Sequence, residues 1–265
     1  MRPAVNGGVE LAYDIEGSGP DLLLIAGTAS TRPLWGLVRP QLARSFRTIA
    51  FDNRDSGEST IAAAPYTLRD LAADAAAVMD AAGSTSAHVL GHSMGGAIAQ
   101  QLALDCPGRL ASLTLACTWA RGDGYSKNLM SLMRALGENV RDDRTLLASI
   151  LFMGSSASTL NRTDLWETTD AAMALGALGP RAALARQWTL DLSVDTLDRL
   201  AELRVPVHVI WGDEDRLIPA VLTRALIEAV PGAFETRLTA CGHVPMVDAP
   251  EAFVESVTAF LRRIE

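Results

Sequence analysis

Lysine is almost missing from this chain: Lys127 is the only one among 265 residues. Imine chemistry on a lysine would have to use that one side chain. Positive charge is scarce as well. Lys and Arg total 23 against 31 Asp and Glu, a formal net charge of −8, which argues against nonspecific nucleic-acid binding through a cationic surface. Cysteine is rare, and Cys106, Cys117 and Cys241 are widely spaced. They match neither a disulfide framework nor a zinc-ligand pattern, so no metal site is expected. No apolar run approaches the roughly 18 residues of a membrane-spanning helix. Residues 1–8 hold no apolar segment of the signal-peptide kind. The expectation is a protein of the reducing cytoplasm with no membrane partner. Internal repeats and low-complexity tracts are also lacking.

What is present is core-forming material. Hydrophobic residues make up 49% and charged residues 20%, a balance that can bury a large core and lies far from the disordered profile. Short apolar runs alternate with helical patterns, the signature of a mainly parallel sheet covered by helices. Strands are expected over residues 9–14, 21–25, 46–51, 87–90, 110–117, 205–211 and 235–239. Helices are expected over residues 68–82, 95–104, 220–229 and 250–263. Between about Trp119 and Leu200 the rhythm changes. Only helical periodicities remain, with start signals at Asp142-Asp143, Thr163-Asp164 and Pro180. The chain therefore divides into a core of residues 1–118 and 201–265 and a helical cap of residues 119–200. An insertion of that length is too long for a plain loop and suits a lid.

The chemistry centres on Gly91-His92-Ser93-Met94-Gly95. This is a G-x-S-x-G pattern between an expected strand and an expected helix. A serine on such a tight turn has strained backbone geometry and an exposed hydroxyl. The residues two before and two after it must be small, because the turn brings them together. The helix N-terminus behind the serine offers free N–H groups to a developing oxyanion.

Serine is a poor nucleophile without a base. Of the four histidines, His88 begins the strand, His92 points away from its neighbour Ser93, and His208 sits mid-strand as a buried structural side chain. His243 follows the last strand, at the edge where parallel sheets place their sites. It alone lies after the acids of Trp211-Gly212-Asp213-Glu214-Asp215, giving the order Ser…Asp…His. Asp213, Glu214 and Asp215 are all candidates for the orienting acid. Asp215 is preferred because Leu217-Ile218-Pro219 suggests a turn packed against the sheet. Two oxyanion donors are expected, the backbone N–H of Met94 and that of Thr28, in the loop after the second strand.

These motifs resemble the α/β-hydrolase family, in its small bacterial serine esterase or lactonase form. The likeness rests on Gly17-Ser18-Gly19-Pro20, Ala26-Gly27, Asp52 to Ser59, Gly91 to Gly96, Gly212 to Asp215, Gly242-His243 and Pro250-Glu251. It implies a mostly parallel eight-stranded sheet with helices on both faces and a helical cap. The G-x-x-D spacing of the family supports Asp215. Two departures stand out. Ala26 occupies the usual position of a loop-bracing histidine, so other residues must hold that loop. Asp55 occupies the position of a glycine. The resemblance implies hydrolysis of a small, largely apolar ester without a cofactor. A serine at the elbow disfavours the aspartate-dependent epoxide hydrolases and dehalogenases of this fold. Lactone or carbon–carbon bond hydrolysis, or a non-catalytic ligand-binding role, would use the same residues. Met130, Met133, Met153, Met173, Trp166 and Trp188 suit either an apolar pocket or the core of the cap. Trp119 and Met246 are expected to line the pocket.

Overall fold

The computed structural model describes residues 2–264. Its strands are β1 (Ala4–Asn6), β2 (Val9–Leu11), β3 (Tyr13–Glu16), β4 (Asp21–Ile25), β5 (Arg47–Phe51), β6 (Ala87–His92), β7 (Leu110–Ala116), β8 (Val207–Gly212) and β9 (Phe234–Leu238). The main sheet has the order β3-β5-β4-β6-β7-β8-β9. Only β3 runs antiparallel, against β5.

Seven strands make this sheet among the described residues, not eight. The stretch 9–14 breaks at Ala12, whose N–H donates to Ser59 Oγ at 2.9 Å. Residues before the break form a separate hairpin with β1, turned by Gly7 and Gly8 at φ 56° and 87°. Both values lie where glycine meets no Cβ penalty. The strand expected from residue 205 begins at Val207, because Pro206 has no N–H to give a ladder.

Period-two alternation assigns the two faces of the sheet. Leu23, Ile25, Val89, Leu113, Leu115 and Val209 point to one layer, packed with α2 (Leu68–Ala81), α3 (Met94–Asp105) and α9 (Ala220–Ala229). Leu22, Leu24, Leu90, Ala116 and Ile210 point to the other, with α1 (Arg39–Leu42) and α11 (Pro250–Ile264). A capping box starts α2: Thr67 Oγ1 accepts from Asp70 N–H, and Asp70 accepts from Thr67 N–H. That pair satisfies two amides that the helix itself cannot.

Residues 119–200 contain α4 (Gly124–Asn139), α5 (Asp143–Gly154), α6 (Ala157–Arg162), α7 (Leu165–Ala174) and α8 (Arg181–Ser193). Asp142 and Asp164 cap α5 and α7 through their side chains, as their sequence positions suggest. One isolated bridge, Arg121 to Asp195, ties the entry of this segment to its exit. Leu129, Met133, Leu146, Leu147, Leu184 and Trp188 form its own apolar cluster. Trp166 and Met173 are exposed instead, and Trp166 carries Arg144 over its ring at 4.6 Å.

Candidate active site

The turn after β6 owes its shape to missing side chains. A Cβ on Gly91 would stand 2.2 Å from Gly95 O, and one on Gly95 would stand 2.1 Å from Ile25 O. Glycine at these positions lets α3 start hard against β4. Ser93 sits at the apex with φ 54° and ψ −122°, a left-handed conformation that costs on the order of 1–3 kcal/mol for a non-glycine residue. Its N–H donates to Ala116 O at 2.9 Å, and its carbonyl accepts from Thr118 Oγ1 at 2.7 Å. Neighbouring segments thus hold the strained residue from both sides.

His243 lies in the loop between β9 and α10 (Pro245–Asp248). Its Nε2 is 2.9 Å from Ser93 Oγ, and its Nδ1 is 2.8 Å from Asp215 Oδ2. Asp215 follows β8, and its other oxygen accepts from the N–H groups of Leu217 and Ile218 at 2.9 and 2.8 Å. A carboxylate held at both oxygens cannot rotate away from the imidazole. The other acids of this turn are engaged elsewhere. Asp213 accepts from Arg237 at 2.9 Å, and Glu214 accepts from Ala157 N–H at 2.6 Å. The serine, the histidine and Asp215 therefore form one continuous hydrogen-bonded chain at the carboxyl edge of the parallel strands. Such a chain can take a proton from the serine hydroxyl and hold the resulting imidazolium.

His92 is closer to this chain than its place beside Ser93 suggests. Its ring centroid is 5.0 Å from that of His243, and its Nε2 donates to the His243 carbonyl at 2.7 Å. Burial, with the His243 ring beside it, pushes His92 down to about 3. It is a neutral donor that steadies the His243 backbone. His208 keeps its structural reading. It bonds Thr236 Oγ1 at 2.8 Å, and burial lowers it to about 4.

Only Cys117, Asp215 and His243 come together with metal-ligand spacing among the described residues, their donor atoms within 4.8 Å. They do not suit a cation. Burial raises the Cys117 thiol and keeps it neutral, and Asp215 and His243 already spend their facing atoms on each other.

Met94 opens α3, so its amide belongs to the helix turn that lacks internal acceptors. Thr28 lies one residue beyond Gly27, where a Cβ would stand 2.9 Å from Ser93 Cβ. The loop of Thr28 lacks the family's histidine, and α8 braces it. Thr28 Oγ1 is 2.8 Å from Asp191 Oδ2, and Ala29 N–H donates to Gln187 Oε1 at 3.0 Å. From below, Asn53 Nδ2 donates to Ala26 O at 2.9 Å. The second departure serves the same helix. Asp55, at φ 69°, accepts from Arg186 Nε and Nη2 at 2.8 Å each. Gln187 and Asp191 were not foreseen from sequence. Their one signal is a four-residue spacing, which puts both polar groups on one face of a helix.

Ser93, His243 and Thr28 open into a cavity of about 410 Å³ beneath the helices of residues 119–200. Trp119 lines it as expected, with Met130, Met133 and Trp188 from those helices. Met246 does not. It is fully buried in the core beneath the sheet, packed with Leu90 and Ile210. The short α10 turns Val244 and Val247 toward the cavity and Met246 away from it.

A model of the alpha/beta hydrolase fold matches residues 20–250, and the chain belongs to that family. It is 32% identical to the RutD protein of Azorhizobium caulinodans, named as a carbamate hydrolase, over the whole of both chains. It is 30% identical to the pimeloyl-[acyl-carrier protein] methyl ester esterase of Aeromonas hydrophila, over 92% of this chain and 96% of that protein. Among solved structures, a hydrolase from Pseudomonas aeruginosa PA01 superposes with a TM-score of 0.88 at 29% identity, covering 98% of this chain and 97% of that one. No helix among the described residues is long and apolar enough to cross a membrane.

Proposed function

We propose that this protein is a serine hydrolase that cleaves carboxylic esters of small, largely apolar molecules through an acyl-enzyme. The observation that carries the reading is the unbroken chain from Asp215 through His243 to Ser93, at 2.8 and 2.9 Å. Ser93 Oγ attacks the scissile carbonyl carbon while its proton passes to His243 Nε2. The Met94 and Thr28 amides hold the oxyanion, a role worth roughly 3–4 kcal/mol for a single donor. Imidazolium then protonates the leaving alcohol as the carbon–oxygen bond breaks. Water, deprotonated by His243, releases the acid and frees Ser93. Asp215 keeps the Nε2 lone pair aimed at the serine. The helices of residues 119–200 act as the cap that supplies the apolar walls, with Trp119 among them. The working compartment is the cytoplasm.

The likeness to RutD brings carbamates within the range of this site, since the same steps apply to a carbamoyl carbonyl. Lactones need no change in the machinery either. Hydrolysis of p-nitrophenyl butyrate and covalent labelling by a fluorophosphonate probe test the reading. Both are expected in the native protein, and both are expected to vanish in Ser93→Ala. A folded protein that neither turns over the ester nor takes the label would sink the proposal in favour of a ligand-binding role.

A further inference from the structure

Two acidic groups line the cavity without a part in the hydrolytic chemistry, Asp191 and Asp248, and Asp248 is spent on the N–H groups of Gly242 and Ser156. Asp191, on the inner face of α8, lines the same cavity as Ser93 and His243 and is 4% exposed. Its Oδ2 is bonded to Thr28 Oγ1 at 2.8 Å. Its Oδ1 is buried and has no partner among the described residues. A buried carboxyl oxygen without a donor is costly. It persists where a ligand supplies the missing bond. Thr28 adjoins Gly27, which lies against Ser93, so the Asp191 side chain stands beside the volume in which a scissile carbonyl would lie.

We infer that Asp191 is a specificity-determining residue of this site, whose free oxygen accepts a hydrogen bond from an N–H carried by the substrate beside the scissile carbonyl. The inference rests on the hydrolase reading above. The chemical class follows from the surroundings. The walls contributed by Met130, Met133, Trp119 and Trp188 are apolar and would not solvate a full ammonium charge. A neutral N–H meets no such penalty. When the nitrogen is conjugated to the carbonyl, as in a carbamate, resonance keeps the N–H in the carbonyl plane and presets its direction. Burial holds Asp191 up at about 7, so around neutral pH the group accepts from such a donor in either protonation state.

Phenyl N-methylcarbamate and phenyl propionate test this, because they differ only by N–H in place of CH2. The quantity read is the ratio of their kcat/KM values from initial phenol release. Asp191→Leu is expected to lower the carbamate-to-propionate ratio at least fivefold, in line with the loss of one hydrogen bond. Phenyl N,N-dimethylcarbamate, which has no N–H, is expected to follow the propionate. Asp191→Asn keeps an amide oxygen in place and is expected to lower the ratio by less than the leucine variant. Any smaller fall in the leucine variant overturns the assignment, whether both substrates slow together, as a loosened Thr28 loop would cause, or neither does. If the leucine variant does not fold, Asp191→Ala is read in its place, and a fall of less than fivefold there overturns the assignment. The hydrolase reading fails differently, by propionate turnover that survives Ser93→Ala.

Discussion

Replacing Asp191 with asparagine removes a carboxyl that folding takes wholly out of water. Burial lifts it from the ordinary 3.8 to about 7, while the Thr28 hydroxyl and the His243 ring pull the other way. A raised folded value means that the native state holds a proton the unfolded chain has already released. The stabilising contribution is then full below about 3.8 and is lost as pH rises through about 7. Each unit is worth about 1.4 kcal/mol. Between pH 5 and pH 8 the native protein therefore loses about 3 kcal/mol at this one group, and Asp191→Asn loses none of it. Urea unfolding of both proteins at the two pH values reads the difference directly. The asparagine variant is expected to gain about 3 kcal/mol on the wild type over that interval, roughly 6 °C in Tm for a chain of this size. A stability gap that stays flat between pH 5 and 8 would refute the argument, because it would mean that Asp191 is charged in the fold at both.

Asp215→Asn, which keeps the shape but offers His243 an N–H where it needs an acceptor, is expected to cut kcat for p-nitrophenyl butyrate by roughly 10⁴. Asp213→Asn is expected to change it less than threefold in the same assay, since Asp213 bonds only Arg237 in that turn. Arg186→Met leaves the fully buried Asp55 carboxylate without its cation, held by the Ala62 N–H, and is expected to cost about 3 kcal/mol in urea unfolding. Because α8 also braces the Thr28 loop, kcat/KM should fall with it. Gly95→Ala forces a methyl against Ile25 O. It is expected to destabilise by about 1–3 kcal/mol or more and to cut fluorophosphonate labelling of Ser93 as the turn opens.

The resemblance read from the motifs held at the level of family and fold, and it held because its signals are local. Alternating apolar runs report the strands whichever partner they pair with. The elbow glycines report a turn whose crowding lies within five residues of chain. Chain order alone singled out His243, and spacing favoured Asp215. What local pattern could not carry was anything decided by which distant segments meet. The eighth strand implied by the resemblance is not in the sheet, and the stretch 9–14 breaks where the N–H of Ala12 turns to Ser59, far along the chain. Met246 pointed into the core and not the cavity because α10 is a single turn whose rotation is set by its packing beneath the sheet.

The helix from Arg181 to Ser193 is the clearest case. Its sequence states only that it is helical, with a start signal at Pro180. That Arg186 meets Asp55, Gln187 meets Ala29 and Asp191 meets Thr28 depends on the helices of residues 119–200 folding back over the sheet edge. These contacts span 131 to 163 residues of chain. The chain by itself determined the elbow, the histidine and the alternation of strands and helices, because each is written in neighbouring residues. Only the tertiary structure decided which carboxyl is clamped to the histidine and which is left buried with a free oxygen, because burial and partnership belong to the packed chain as a whole.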